Sequence, residues 1–329
     1  MALGKAKLAA SPLLRSGRPR YNLEMPPRKT ARSPHSRRIT EERNAASKNL
    51  DRMSALEIVG LINREDAKVA RAVGREIPAI ARAVDEIVER MKAGGRLIYV
   101  GAGTSGRIGV LDASECPPTF GVSPNLVRAV IAGGKKALTQ SVEGAEDCSG
   151  DGAHDLRKIQ LTKTDSVVGI AASGSTPYVL GAMSYAKRRG ALTIGITANH
   201  RSPLARAARI AISPEVGPEV LSGSTRLKAG TSQKMALNML STAVFVRLGH
   251  AYDNLMIDLG QANEKLRERA QWILKEASAK DVSAVTRALR QSGHDLRLAL
   301  IMLKRGISAK QSRKILIESR GNLRKALEE

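Results

Sequence analysis

The feature that most constrains the fold is a pair of short apolar segments, each followed at once by a turn rich in glycine and hydroxyl groups. Residues 97–100 (LIYV) lead into GAGTSG at 101–106, and residues 166–172 (SVVGIAA) lead into SGST at 173–176. Wholly apolar segments of this length are typical of strands buried on both faces of a parallel sheet. Ligands of such sheets bind at the carboxyl ends of the strands, so we expect both turns at one edge.

The rest of the chain continues this alternation of strands and helices. Apolar segments predict further strands at 126–131, 192–197 and 210–212, and apolar residues recur at helical spacing over 53–92, 178–188 and 228–248. This order predicts an α/β fold, a parallel sheet with helices on both faces, after a helical N-terminal segment. After about residue 275 no strand pattern remains, and helical segments at 281–292, 295–304 and 308–327 predict a small three-helix domain. We therefore predict a main domain over residues 40–270 and a helical domain over 275–329.

Residues 1–39 differ from the rest of the chain in composition. They hold ten lysines and arginines against a single acid, Glu24, with five prolines and no hydrophobic period. This composition predicts a disordered basic extension. It resembles an organelle transit peptide, and the alternative is that translation starts further downstream, for example at Met25. The whole chain has a formal net charge of +23 but only 2% aromatic residues. Because bases stack on aromatic side chains, we expect no nucleic-acid partner, and no apolar segment is long enough to cross a membrane.

The first turn matches the G-x-G-x-x-G pattern of dinucleotide-binding proteins. Those proteins place an acid at the end of the second strand, where this chain has IAGGK at 131–135. Thr104 and Ser105 add hydroxyls that a pyrophosphate does not need. A monophosphate at a helix N-terminus, held by Gly103, Thr104 and Ser105, fits better. The alternative is a turn that needs glycine for backbone reasons alone.

Two further segments are candidates for anion binding. Ser173, Ser175 and Thr176 precede Pro177 at the predicted start of a helix. One of them can serve as an N-cap, but three hydroxyls exceed what a cap needs, so we predict phosphate contacts. Arg226 and Lys228 lie in a glycine- and hydroxyl-rich segment that opens the helix at 228–248. They could complete an anion site, or belong to an ordinary capped helix with a basic first turn.

Two acids are candidates for acid–base chemistry. Glu115 lies in DASECPPT at 112–119, where the two prolines predict that a helix stops near Cys116. An acid at that end meets the negative pole of the helix dipole, which suggests a functional role. Glu146 lies in EGAED at 143–147, a cluster that could also be a solvated surface. The five histidines show no ligand spacing, so we predict no metal, and a catalytic thiol at Cys116 or Cys148 has no matching histidine.

These motifs together resemble the N-acetylmuramic acid 6-phosphate etherase family. The likeness rests on GAGTSGR at 101–107, LDASECPPT at 111–119, VEGAED at 142–147, GIAASGSTPY at 169–178 and KAGTSQK at 228–234. It runs from TEERN at 40–44 to the C-terminus and leaves the basic extension outside.

The resemblance implies a sugar isomerase (SIS) domain, a doubly wound, flavodoxin-like parallel sheet that binds a sugar phosphate, followed by a small helical domain. It also implies a carbon–oxygen lyase that converts N-acetylmuramic acid 6-phosphate to N-acetylglucosamine 6-phosphate and D-lactate by elimination and water addition. No cofactor is expected, and the chain would form a homodimer in the cytoplasm and serve peptidoglycan recycling and amino-sugar catabolism. Glu115 would be the proton donor and Glu146 the second acid.

Two other functions fit the same scaffold. An aldose–ketose sugar-phosphate isomerase also needs a carboxylate beside an open-chain aldehyde, but it releases no lactate. A sugar-phosphate sensor could keep both phosphate loops without the acids. The presence of Glu115 and of the acids at 143–147 favours the etherase.

Overall fold

A computed structural model describes residues 39–261, 263–319 and 321–328 of the 329-residue chain. The predicted basic extension at 1–39 lies, apart from its last residue, outside the described residues.

The centre of the molecule is the predicted parallel sheet. Its five strands lie in the order β2-β1-β3-β4-β5, and every neighbouring pair is parallel. The strands are β1 (Leu97–Gly101), β2 (Val127–Ile131), β3 (Ser166–Ile170), β4 (Leu192–Ile196) and β5 (Ile210–Ile212). The strand order reverses between β1 and β3, and this is where a doubly wound sheet opens a crevice for ligands.

Helices cover both faces of the sheet, which confirms the predicted fold class. Successive residues of β1 alternate between two apolar cores, with Tyr99 on one face and Ile98 and Val100 on the other. The described helices are α1 (Ala55–Asp66), α2 (Val69–Gly74), α3 (Ile77–Lys92), α4 (Gly103–Phe120), α5 (Ser149–Lys158), α6 (Pro177–Arg188), α7 (Pro203–Ala207), α8 (Lys228–Leu248), α9 (Glu264–Ser278), α10 (Val282–Gln291), α11 (Leu296–Arg305), α12 (Ala309–Glu318) and α13 (Leu323–Glu328). None of these helices combines the length and apolar character that a membrane span requires.

The C-terminal region is helical, as predicted, but the predicted number of three helices is wrong. Among the described residues it has five, α9 to α13, which share one apolar core. Helix α9 escaped prediction because its sequence is strongly charged and buries only Ala270, Ile273 and Leu274. The predicted helix at 308–327 is two helices with a break near Gly321, whose φ is +78°. The proposed domain boundaries stay a prediction.

Helix α4 corrects a second prediction. It does not stop near Cys116 but continues through Pro117 and Pro118 to Phe120. The end is set by Gly121, which is left-handed with φ +64°. A Cβ atom there would lie 2.3 Å from the main-chain oxygen of Asp258, so only glycine fits.

Candidate active site

The two predicted hydroxyl-rich turns lie side by side. Gly101 ends β1 and Ile170 ends β3, and these two residues are paired in the sheet. Both turns line one cavity of about 310 Å³, called here the loop cavity. Its lining residues are Glu41, Ala102, Gly103, Thr104, Ser105, Glu146, Ile170, Ala171, Ala172, Ser173, Thr176, Gly223 and Thr225. The structure therefore brings together most of the residues that the sequence singles out for phosphate contact.

The glycines of the first turn let the chain pass very close to itself. A Cβ atom on Gly106 would lie 2.6 Å from Cγ1 of Ile131, and one on Gly101 would lie 2.7 Å from the main-chain nitrogen of Gly106. The turn can therefore fold tightly back into α4, with Thr104 and Ser105 in the first helical turn. Main-chain N–H groups at a helix N-terminus have no intrahelical partner and favour an anion.

The second turn is held by Gly174, with φ +68°. A Cβ atom there would lie 2.2 Å from Oγ of Ser202. Ser175 does not line the cavity, and its Oγ lies 3.0 Å from Oγ of Ser173, which does. Thr176 is at the N-cap position of α6, yet its side chain makes no capping bond with any described residue. Its hydroxyl is therefore available to a ligand.

Two carboxylates reach the loop cavity. Glu146 lies on the loop before α5, and its main-chain oxygen accepts a hydrogen bond of 3.0 Å from the nitrogen of Tyr178 at the start of α6. Glu41 is the second, and sequence reasoning gave it no role. The main-chain nitrogen of Gly223 donates to the oxygen of buried Thr40 at 3.3 Å, which docks this segment at the cavity. In the sequence, Glu41 is marked only by its place in TEERN at 40–44, where the likeness to the etherase family begins.

Glu115 is not part of the loop cavity. It lies twelve residues after Gly103 in α4, which corresponds to about 18 Å along a helix that rises 1.5 Å per residue. Its side chain is exposed and forms no ion pair within the described part of the chain. Glu115 therefore does not line the cavity that Glu146 lines.

A buried polar network around Asp112 fixes the orientation of α4 near Glu115. Asp112, one turn earlier, accepts hydrogen bonds from the hydroxyl of Tyr99 at 2.7 Å and from Oγ of Ser241 at 3.1 Å. These bonds join α4 to β1 and to α8. Burial raises the pKa of Asp112, although both hydrogen bonds act against that rise. Burial, with Asp112 and Glu115 nearby, also raises the pKa of the Cys116 thiol to about 12, which leaves it unreactive.

The structure places the two predicted cations, Arg226 and Lys228, away from the cavity wall. Lys228 is 1% exposed, and its Nζ lies 2.6 Å from Oε2 of Glu65. Glu219 accepts hydrogen bonds from the main-chain nitrogens of Lys228 and Ala229, at 3.1 and 2.9 Å. The protein's own carboxylates thus occupy the N-terminus of α8. Arg226 is exposed beside Thr225, which lines the cavity.

A second, smaller pocket opens beside Glu146. This side pocket has a volume of about 150 Å³ and shares Ala102, Gly103 and Glu146 with the loop cavity. Arg107 and the segment 140–146 form much of its wall. Within the described residues, no group of histidine, cysteine and acidic side chains could hold a metal ion.

The fold and this pair of loops define a SIS domain. Residues 79–187 match the model of the glucokinase regulatory protein N-terminal SIS domain, and residues 148–243 match the SIS domain model. A solved phosphoheptose isomerase from Francisella tularensis aligns with 58% of this chain and 98% of its own, with 19% identity and a TM-score of 0.46.

Curated relatives narrow the class. An N-acetylmuramic acid 6-phosphate etherase from Clostridium beijerinckii is 51% identical over 290 residues, which cover 88% of this chain and 95% of the relative. One from Pectobacterium atrosepticum is 52% identical over 289 residues, with coverage of 88% and 95%. The chain belongs to the N-acetylmuramic acid 6-phosphate etherase family.

Proposed function

We propose that this chain is a carbon–oxygen lyase that splits the D-lactyl ether of N-acetylmuramic acid 6-phosphate, giving N-acetylglucosamine 6-phosphate and D-lactate. The observation that carries the proposal is the loop cavity, which joins two hydroxyl-rich turns and a carboxylate in a chain about half identical to named etherases. The cytoplasm and a role in peptidoglycan recycling belong to the same proposal, since they rest on the family likeness.

In this proposal the phosphate lies between the two turns. The hydroxyls of Thr104, Ser105, Ser173 and Thr176 line the cavity and can donate to phosphate oxygens. The main-chain N–H groups at the start of α4 add further donors. Ser175 would act through Ser173, because the two hydroxyls lie 3.0 Å apart. Arg226 would need to turn its exposed side chain toward the cavity, whereas Lys228 is held by Glu65.

Elimination then follows from the open-chain sugar. Its C2 proton is acidic because it is next to the C1 aldehyde, so a carboxylate can remove it. A protonated carboxyl group gives its proton to the ether oxygen, the C3–O bond breaks, and lactate leaves. Water adds to C3 of the unsaturated aldehyde, and C2 regains a proton. We assign the leaving-group proton to Glu115 and the base or water-activating role to Glu146.

The position of Glu115 supports a homodimer. Because it lies about 18 Å from its own first loop along α4, we propose that it enters the loop cavity of a second copy. Leu111, one turn earlier, is also an exposed residue of α4, and an exposed leucine beside a functional acid suits a subunit contact. Light scattering on the protein as it elutes from a size-exclusion column should give twice the mass of the chain. A fully active monomer would contradict the entry of Glu115 into the cavity of a second copy.

The activity is tested by release of D-lactate from N-acetylmuramic acid 6-phosphate. We expect release by the wild type and a loss of at least about 100-fold in Glu115→Gln and in Glu146→Gln. Asp147→Asn is the matched control, because this neighbouring acid does not line either cavity. If the folded wild type releases no lactate, the etherase proposal fails. A panel of fructose and glucosamine phosphates would then separate an isomerase from a sensor.

A further inference from the structure

The side pocket adjoins the loop cavity at Glu146. The two are neighbours, because Ala102, Gly103 and Glu146 line both of them. The side pocket follows α4 for one further turn and reaches Arg107.

Arg107 is held in place but keeps donors free. Its Nε donates to the main-chain oxygen of Ala137 at 2.9 Å, and its Nη2 donates to that of Gln140 at 3.0 Å. A guanidinium has five N–H donors, so three remain for a ligand. Among the described residues that line either cavity, Arg107 is the only one with a positive charge.

Each cavity is lined by two acids, Glu41 and Glu146 in the loop cavity and Glu143 and Glu146 in the side pocket. The loop cavity offers hydroxyls and main-chain donors, which suit a phosphate, and of the two cavities the side pocket is the one that is lined by a cation. The side pocket offers a guanidinium with fixed orientation, which binds carboxylates well because its donors match the two oxygens.

We propose that Arg107 and the side pocket bind the carboxylate of the lactyl group. This inference rests on the proposed function, and it explains how the site selects a lactyl ether over a sugar phosphate without that group. With the phosphate between the loops and the lactyl carboxylate at Arg107, the ether bond lies in the region that the two cavities share. Glu146 lines that region, close to the carbons at which elimination occurs. Arg107 is a specificity-determining residue in this arrangement.

The test compares two substrates rather than two enzymes alone. One is N-acetylmuramic acid 6-phosphate, and the other is its lactyl primary amide, which has nearly the same shape but no negative charge on the lactyl group. For the wild type, kcat/KM should favour the acid by about ten- to a hundredfold, the range expected for a hydrogen-bonded charged group. In Arg107→Gln this ratio should fall close to 1.

Lys136→Gln is the matched control, since Lys136 is an exposed cation in the same region that lines neither cavity. Its ratio should equal that of the wild type. A purely structural role for Arg107, through Ala137 and Gln140, would lower kcat/KM for both substrates equally and leave the ratio unchanged, which would overturn the inference. If Arg107→Gln does not fold, the wild-type ratio decides, because a value near 1 is enough to refute it. If neither D-lactate from the acid nor D-lactamide from the amide is released, the result instead refutes the proposed function.

Discussion

Replacing Lys228 with methionine should destabilise the protein much more than replacing a typical lysine. The side chains of Lys228 and Glu65 are 2% and 5% exposed and form an ion pair of 2.6 Å. Glu65 also accepts a hydrogen bond of 3.0 Å from Nδ2 of Asn44 and pairs with Lys68. Methionine fills a similar volume but has no charge. The buried carboxylate of Glu65 would then keep only Lys68, which is exposed, as a cationic partner.

The size of the effect follows from the pKa of Glu65. Burial alone would raise this pKa, but hydrogen bonds from Lys228, Lys68 and Asn44 outweigh it and lower the pKa from 4.5 to about 2. A difference of that size corresponds to about 3 kcal/mol of stability at pH 7, which these three partners share, so that the loss of Lys228 alone removes a part of it. Breaking a buried pair by removing one partner typically costs about 3–5 kcal/mol. We therefore expect Lys228→Met to lose roughly 3 kcal/mol.

The pH dependence has a defined sign. Because the folded pKa is below the unfolded one, the contribution of Glu65 is complete above about pH 5 and is lost as the pH falls toward 2. Urea unfolding at pH 7 and pH 3.5 measures both values, and the difference between wild type and variant should shrink at the lower pH. The control is Lys92→Met, whose surface pair with Glu89 should contribute less than about 1 kcal/mol. Equal losses for the two variants at pH 7 would mean that the buried ion pair of Lys228 and Glu65 is no more stabilising than a surface pair.

Three further predictions concern the loops and the core. Gly174→Ala should lower the free energy of unfolding in urea by about 2–4 kcal/mol, because a left-handed alanine is strained and its Cβ would overlap Ser202. Gly94→Ala should lose only the strain, because a Cβ there meets no described atom within 4 Å, and similar losses for the two variants would contradict this prediction. Thr176→Val should leave the free energy of unfolding unchanged but lower kcat/KM for lactate release about tenfold. The control is Ser202→Ala, which removes a capping hydrogen bond of 3.2 Å and should lower the free energy of unfolding by about 1 kcal/mol. If Thr176→Val is destabilised, the hydroxyl of Thr176 supports the fold and is not reserved for a ligand. Tyr99→Phe should lower the free energy of unfolding by about 1–3 kcal/mol, since the buried carboxylate of Asp112 loses one of its two donors. An unchanged melting temperature would exclude that network as a source of stability.

The sequence was sufficient to predict the sheet and its two loops, because their signals are local. An apolar segment followed by glycines and hydroxyls predicts a strand and the turn after it, and the topology of parallel strands then brings two such turns to one edge. Gly106 illustrates why the signal is reliable: its neighbour Ile131 approaches so closely that no side chain fits.

Features that depend on distant parts of the chain could not be predicted. Lys228 looked like an anion ligand, but its partner Glu65 is 163 residues away and occupies its charge. Glu41 lies at the loop cavity because its segment is held by hydrogen bonds from Gly223 to Thr40 and from Ser222 to Glu41, far apart in the sequence. The position of Glu115 depends on the full length of α4, and the proline pair gave a false end because helix termination is set by the close approach at residue 121.

Lactate release by mixed dimers is the most direct test of an active site that two subunits share. Glu115→Gln and Glu146→Gln are each expected to be inactive, and the two proteins are unfolded together and refolded in equal amounts. If each site takes Glu146 from one subunit and Glu115 from the other, half of the dimers are mixed and each has one complete site. The mixture should then recover about a quarter of the wild-type rate. No recovery, from a mixture shown to contain mixed dimers, would contradict a site shared between two copies.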